Sequence, residues 1–246
     1  MSPIESWGLS SYEETILCLA SSRKPPSGRC IAGKIFAEGD TKGWIRPVSA
    51  RVSHEVSEEE RRYQGGKLTQ LLDIVTVPLL RASPLQHQVE NHVLDDSHYW
   101  EKQGSATWQQ VTAAQDPYDA AFWSHSLNTK FGQNDKIHGS LVGRLGSSLK
   151  LVLVGDLTIQ VQLEEGFGGN HPRRRVRGRF TARGKPYLMS VSDPEIEDEY
   201  IVKPNGTYPI GEAAICVSVV EVWNDYAFRV IASVITRQRC GVLNAS

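Results

Sequence analysis

The stretch Thr158-Ile159-Gln160-Val161-Gln162-Leu163 alternates polar and apolar side chains. A period of two sends successive side chains to opposite faces, so this stretch reads as a half-buried strand. Comparable short runs recur along the chain, each bounded by turn residues. Thr15–Ala20 (TILCLA), Cys30–Phe36 (CIAGKIF), Gly43–Val48 (GWIRPV) and Leu71–Leu80 (LLDIVTVPLL) fill the first part, and Gln88–Leu94 (QVENHVL) fits a further strand. Later, Leu149–Leu163 predicts a hairpin with Gly155-Asp156 at its tip. Val176–Phe180 and Tyr187–Val191 flank TARGK, a second hairpin turning at Gly184. Ile215–Val222 and Phe228–Ile235, joined by WNDYA, close the series. Short strands at regular spacing predict small barrels or a sandwich.

Two segments depart from this pattern. Arg51–Arg62 carries a Ser, then several acids, then two arginines, the order in which charges oppose a helix dipole; it predicts a short helix. From about residue 95 the aromatics Trp100, Trp108, Tyr118, Phe122 and Trp123 are spread through polar sequence, with short helices predicted around a break at Pro117. A free linker does not carry so much aromatic area, so this segment is expected to pack its rings on its neighbours. The resulting division is 12–97, a connector at 98–135, and 136–237. No sequence repeat relates the two halves.

The 246 residues suffice for one large or two small domains, and a formal net charge of −1 excludes a general polycation. Any affinity for nucleic acid must therefore come from local patches. The N-terminus has no basic start followed by an apolar run, and no stretch approaches 18 apolar residues. Both predict a cytoplasmic chain without membrane association. In that compartment Cys18, Cys30, Cys216 and Cys240 read as reduced, mostly buried thiols, although the spacing of Cys18 and Cys30 allows a bridge across a hairpin.

The segments LCLASSRKPPSGRCIAGK, GWIRPVSAR, DIVTVPLL, QHQVENHVLD, YLMSVSDPEIE and YAFRVIASVI, spread over roughly residues 14–236, resemble the dual OB-containing domain family. That bacterial group is built from two oligonucleotide/oligosaccharide-binding barrels. The resemblance implies a mainly β chain with two small OB-like β-barrels joined by the aromatic-rich, partly helical connector. By analogy of fold it implies a nucleic-acid or nucleotide partner. None of the resembling segments is a catalytic signature, and no activity transfers residue by residue.

Two cationic features are candidate binding sites. Arg23, Lys24, Arg29 and Lys34 surround the Pro-Pro-Ser-Gly turn, either as a rim facing an anion or as ordinary surface charge. OB barrels bind on the face of their second and third strands. If Cys30–Phe36 and Gly43–Val48 are those strands, Lys34, Phe36, Trp44 and Arg46 offer charge to phosphates and rings to bases. The competing reading pairs Arg46 with an internal acid such as Glu55 or Glu90 and packs Trp44 in the core. The second feature is RRRVRGRFTARGK, with seven cations between Arg173 and Lys185. Alternation puts Arg175, Arg177 and Arg179 on one strand face, suited to a phosphate backbone. Edge protection, or neutralisation by the acidic run Glu195–Glu199, would explain it otherwise.

Signals for chemistry are weak. His87, His92 and His98 lie near Glu90, Asp95 and Asp96, but their spacing matches neither HExxH nor the Cys/His zinc patterns. EGFGGN at 165–170 opens no phosphate-binding helix, there is no GxSxG elbow, and Asp193 before Pro194 is first a turn former. The sequence thus predicts a non-catalytic module for single-stranded nucleic acid or a nucleotide, with no cofactor and no metal. The alternative is an accessory subunit whose barrels bind a protein partner in a bacterial defence or stress system. An enzyme acting on a nucleotide or modified base would require a carboxylate cluster inside the cationic groove.

Overall fold

A computed structural model describes residues 11–165 and 171–243. The chain is mainly β, 54% strand and 13% helix, in two six-stranded sheets. The first comprises β1 (Tyr12–Lys24), β2 (Gly28–Ala37), β3 (Asp40–Val48), β4 (Asp73–Ala82), β5 (Asn91–Leu94) and β6 (Glu101–Ser105). The second comprises β7 (Lys136–His138), β8 (Leu149–Glu164), β9 (Arg173–Ala182), β10 (Lys185–Val191), β11 (Gly206–Val219) and β12 (Tyr226–Ile235). Among the described residues four short α-helices accompany them, α1 (Trp108–Ala113), α2 (Ala120–Trp123), α3 (Pro194–Ile201) and α4 (Arg237–Leu243), with a 3-10 helix at Gly139–Arg144.

In the first sheet the pairings run β1-β2-β3-β5-β4 and return to β1, with β3 and β5 parallel. In the second they run β8-β9-β10-β12-β11 and return to β8, with β10 and β12 parallel. The two circuits have the same topology, although the halves share no visible sequence repeat. Both are OB-like, as the resemblance implied.

Three hydrophobic clusters follow from strand alternation. Ile16 and Cys18 of β1 point into the first barrel with Ile31, Val75 and Trp100. Ile215 and Val217 of β11 point into the second with Phe122, Phe180 and Ile231. The opposite faces of these strands meet each other: Leu17 and Leu19 pack with Leu149, Leu151, Ala214 and Cys216 in a layer between the barrels. Both faces are thus buried over Ile16–Ala20 of β1 and Ala213–Val219 of β11, which is why TILCLA and AAICVSVV read as largely apolar runs. Polar atoms in this layer are matched as well: Ser233 Oγ donates to the Leu19 carbonyl at 2.5 Å. The thiol of Cys18 is pushed up to about 12, by burial and then by the charge of Asp73, and Cys18 and Cys30 form no bridge.

The structure corrects several expectations. Leu149–Leu163 is one continuous strand, not a hairpin. Gly155-Asp156 is accommodated by register shifts between Pro209 and Ala213 of β11, where Gly211 adopts φ 84°, so β8 bends without reversing. Arg51–Arg62 forms turns instead of a helix. Val56 exchanges backbone hydrogen bonds with Arg29 (2.9 and 2.8 Å), and Glu60 accepts from Ser57 N at 2.8 Å. A helix running through Val56 would forfeit its bonds to Arg29. The strand expected from Gln88 begins only at Asn91. Among the aromatics, Trp100 enters the first core while Phe122 and Trp123 enter the second. Among the described residues no helix is long and apolar enough to cross a membrane.

Because one apolar layer serves both barrels, urea unfolding monitored by far-UV circular dichroism and by tryptophan fluorescence should give one coincident transition. Leu19→Ala should lower stability by about 2–5 kcal/mol while preserving that coincidence. Two separated transitions in the unaltered protein would contradict the shared layer.

Candidate functional site

The strand face expected to bind ligand in the first barrel is formed and then covered. Lys34 and Trp44 are direct cross-strand partners, with the Lys34 ammonium 5.5 Å from the indole centroid. Yet Lys34 is buried, its Nζ donating to the Ala114 carbonyl at 2.6 Å and pairing with Asp116 at 2.7 Å. The same carboxylate accepts from Trp44 Nε1 (3.1 Å) and from the Leu151 amide (2.7 Å). Arg46 is only 2% exposed, and its Nη2 lies 3.1 Å from Glu90 Oε1 and 2.7 Å from Ser148 Oγ. The segment after α1 and the start of β8 therefore occupy this face. Of the two readings for Arg46, the internal pair is the one observed.

The cations of the Pro-Pro-Ser-Gly turn diverge. Arg23 pairs with Glu197 at 3.0 Å and with Asp198, and Lys24 with Glu221 at 3.2 Å, all acids of the second half. Arg29 lines a smaller pocket of about 410 Å³ together with Arg61, Arg239 and four acids. Arg23 and Lys24 thus fasten one half of the chain to the other, and with Lys34 buried against Asp116 the four cations do not form a common rim.

The arginines of β9 fare differently. Val176, Gly178 and Phe180 face the core; a Cβ on Gly178 would lie 2.3 Å from Ile231 Cδ1, so a larger residue there would have to displace that side chain. Arg173, Arg175 and Arg179 are exposed on the opposite face. Arg177, on that same face, is buried. Its Nε and Nη2 donate to Glu164 at 2.6 and 2.9 Å, and Nη1 lies 3.6 Å from Asp135. Burial pushes the Glu164 carboxyl up, but hydrogen bonds from Arg177 and Gln162 and the Arg177 charge outweigh it, and its pKa is lowered. The acidic run of α3 goes elsewhere: Glu195 to Arg239, Glu197 and Asp198 to Arg23, and Glu199 to Lys203.

Beside the start of β9 lies a cleft of about 940 Å³. Lys130, Lys136, Arg173 and Arg175 contribute charge at its rim, and the buried Arg177 and Arg229 lie deeper. Arg229 is held by the carbonyls of Phe122 (2.7 Å) and Ser124 (3.2 Å), and burial pushes its pKa down to about 10. Phe131, Trp223, Tyr226 and Phe228 supply rings. Asn224 and Asp225 both have positive φ (46° and 66°), a two-residue hairpin turn that sets Trp223 and Tyr226 as cross-strand neighbours. Trp223 is 54% exposed, and Lys136 Nζ sits 4.2 Å from the Tyr226 centroid. Of this site, Arg175 and Arg177 were legible in the sequence, whereas Lys130, Lys136, Trp223, Tyr226 and Arg229 were not. The Asn-Asp pair of WNDYA, residue types that tolerate positive φ, was the available signal for its exposed ring.

The dual OB-containing domain matches the chain over residues 14–234. The chain belongs to that family. No curated protein matches it. Among solved structures, a crystal structure of the tetrameric p202 HIN2 covers 96% of this dual OB chain and 100% of its own at 9% identity, with a TM-score of 0.36. That likeness is too slight to inform on the site. Among the described residues no group of three or more His, Cys, Asp or Glu side chains is placed to hold a metal ion.

Removing one member of a buried ion pair leaves the other charge uncompensated, so Arg46→Ala should cost about 3–5 kcal/mol at neutral pH by denaturant unfolding. Arg177→Ala should cost a similar amount at pH 7, and its cost should shrink as the pH falls. Glu164, left buried without a guanidinium, then gains stability by protonation, whereas the unaltered protein loses the stabilisation from its lowered carboxylate. A cost for Arg177→Ala that is constant from pH 7 to pH 4 would contradict this pairing.

Proposed function

We propose that the chain is a non-catalytic binding module for nucleic acid or a nucleotide, with its site in the second-barrel cleft. The observation that carries this reading is the meeting of an exposed indole, Trp223, with Lys136, Arg173 and Arg175 around one cavity. Rings give bases a stacking surface and cations meet phosphates. The lining contains six cations (Lys130, Lys136, Arg173, Arg175, Arg177, Arg229) and three acids (Asp135, Glu164, Glu165), an excess of three positive charges. A confined excess of this kind suits a chain whose overall net charge is −1.

The carboxylates support binding over catalysis. Glu164 is held by Arg177, and Asp135 accepts from Thr129 N (2.8 Å) and Thr129 Oγ1 (2.7 Å). The Glu164 carboxyl is held below its usual range, whereas a general acid needs a raised pKa, and the Asp135 oxygens are occupied by structural donors. The first barrel takes the part of a platform: its corresponding strand face is occupied by Asp116 and Ser148, so one site per chain is expected.

Titration of tryptophan fluorescence with short single-stranded oligonucleotides should show saturable binding at one site per chain, with log affinity falling linearly against log salt. Trp223→Ala should weaken binding by about 5- to 150-fold, the equivalent of one lost stacking contact of about 1–3 kcal/mol. Arg175→Ala should weaken binding and flatten the salt dependence. Indifference to DNA, RNA and free nucleotides alike would reject the reading.

A further inference from the structure

The exposed cations do not stop at the cleft. Along β9 the cross-strand partners are Glu164 with Arg173, Gln162 with Arg175, Gln160 with Arg177, and Thr158 with Arg179. Direct partners share a face, so the outward surface carries an arginine row beside a row of amides and a hydroxyl. Arg173, Arg175 and Arg179 are exposed along it, and Thr158 Oγ1 is buried without a partner beside Arg179. The row continues into the β9–β10 turn, where Arg183 and Lys185 are also exposed. There the Arg183 guanidinium lies 4.5 Å from the ring of Tyr118, a tyrosine 47% exposed. At this end Asp156 Oδ1 accepts from the Thr181 amide at 3.0 Å, and Asp119, next to Tyr118, pairs with Lys150 at 3.0 Å.

Charge and an exposed ring therefore occur at both ends of one strand. The ten residues of β9, at about 3.3 Å each, separate those ends by about 33 Å. A mononucleotide in the cleft would leave Arg179, Arg183, Lys185 and Tyr118 without a role. Resting on the function proposed above, we infer that the ligand is a single strand of several nucleotides, which seats bases at Trp223 and runs along β9 to the turn at Arg183. Phosphates meet the arginine row, while the half-buried Gln160 and Gln162 border the path with their amides. Seating a base against an exposed ring requires an unpaired strand, since duplex bases are stacked on one another.

The test is a length series of oligothymidylates, from the mononucleotide to a twelve-mer, with a duplex of twelve base pairs alongside. Affinity should rise with length and level off within the about 4–16 nucleotides that one such barrel accommodates. The double variant Arg179→Ala/Arg183→Ala alters exposed side chains only. It should reduce the salt slope for the twelve-mer by about 1.4, or about 0.7 for each lost phosphate contact, and weaken the mononucleotide less than the twelve-mer. A mononucleotide bound as tightly as the twelve-mer, equal weakening of both by the double variant, or a duplex bound as tightly as the single strand would overturn this inference while leaving the cleft as a binding site. Binding of no length at all would overturn both.

Discussion

The apolar layer between the two barrels is the constraint on which the other features depend. Leu17 and Leu19 can leave the first core only because Leu149, Leu151, Ala214 and Cys216 meet them from the second barrel. Contact at that layer brings the segment after α1 and the start of β8 onto the first barrel's outer strands. Lys34, Trp44 and Arg46 then lose water and must find partners inside the protein, since an unpaired buried charge is strongly destabilising. Asp116, Glu90 and Ser148 meet that requirement.

The second barrel has the same strand circuit and a different fate. The outer faces of its second strand, β9, and of the half of β8 paired with it remain partly exposed, and the charges on β9 divide according to their neighbours. Arg177 lies where Glu164 and Asp135 close over it and is structural. Arg175 and Arg179, two residues away on either side, remain exposed. Two barrels of one topology thus serve different ends: one is a platform fixed by internal pairs, and the other presents a cleft with net positive lining.

Much of the architecture was legible in the chain because alternation and turn residues are local properties. The runs at β1, β2, β3, β9, β10, β11 and β12 all contained their eventual strand cores. The failures came where distant partners decided. Gly155-Asp156 looks like a turn, but β11 offers a compensating bulge opposite it. Glu58, Glu59 and Glu60 look like the start of a helix, but Val56 is engaged by Arg29 across the barrel.

By itself the sequence determined that this is a mainly β chain of short strands, that its cations are clustered, and that alternate arginines of β9 share a face. These follow from periodicity and composition, which need no knowledge of contacts. Only the tertiary structure decided which cations are exposed. Lys34, Arg46 and Arg177 differ from Arg175 and Arg179 not in residue type or local pattern but in whether a carboxylate, distant in the chain for Lys34 and Arg46, is folded against them. Charge compensation in a buried site acts through space over a few ångströms, and the spacing of residues along a chain carries no record of that distance.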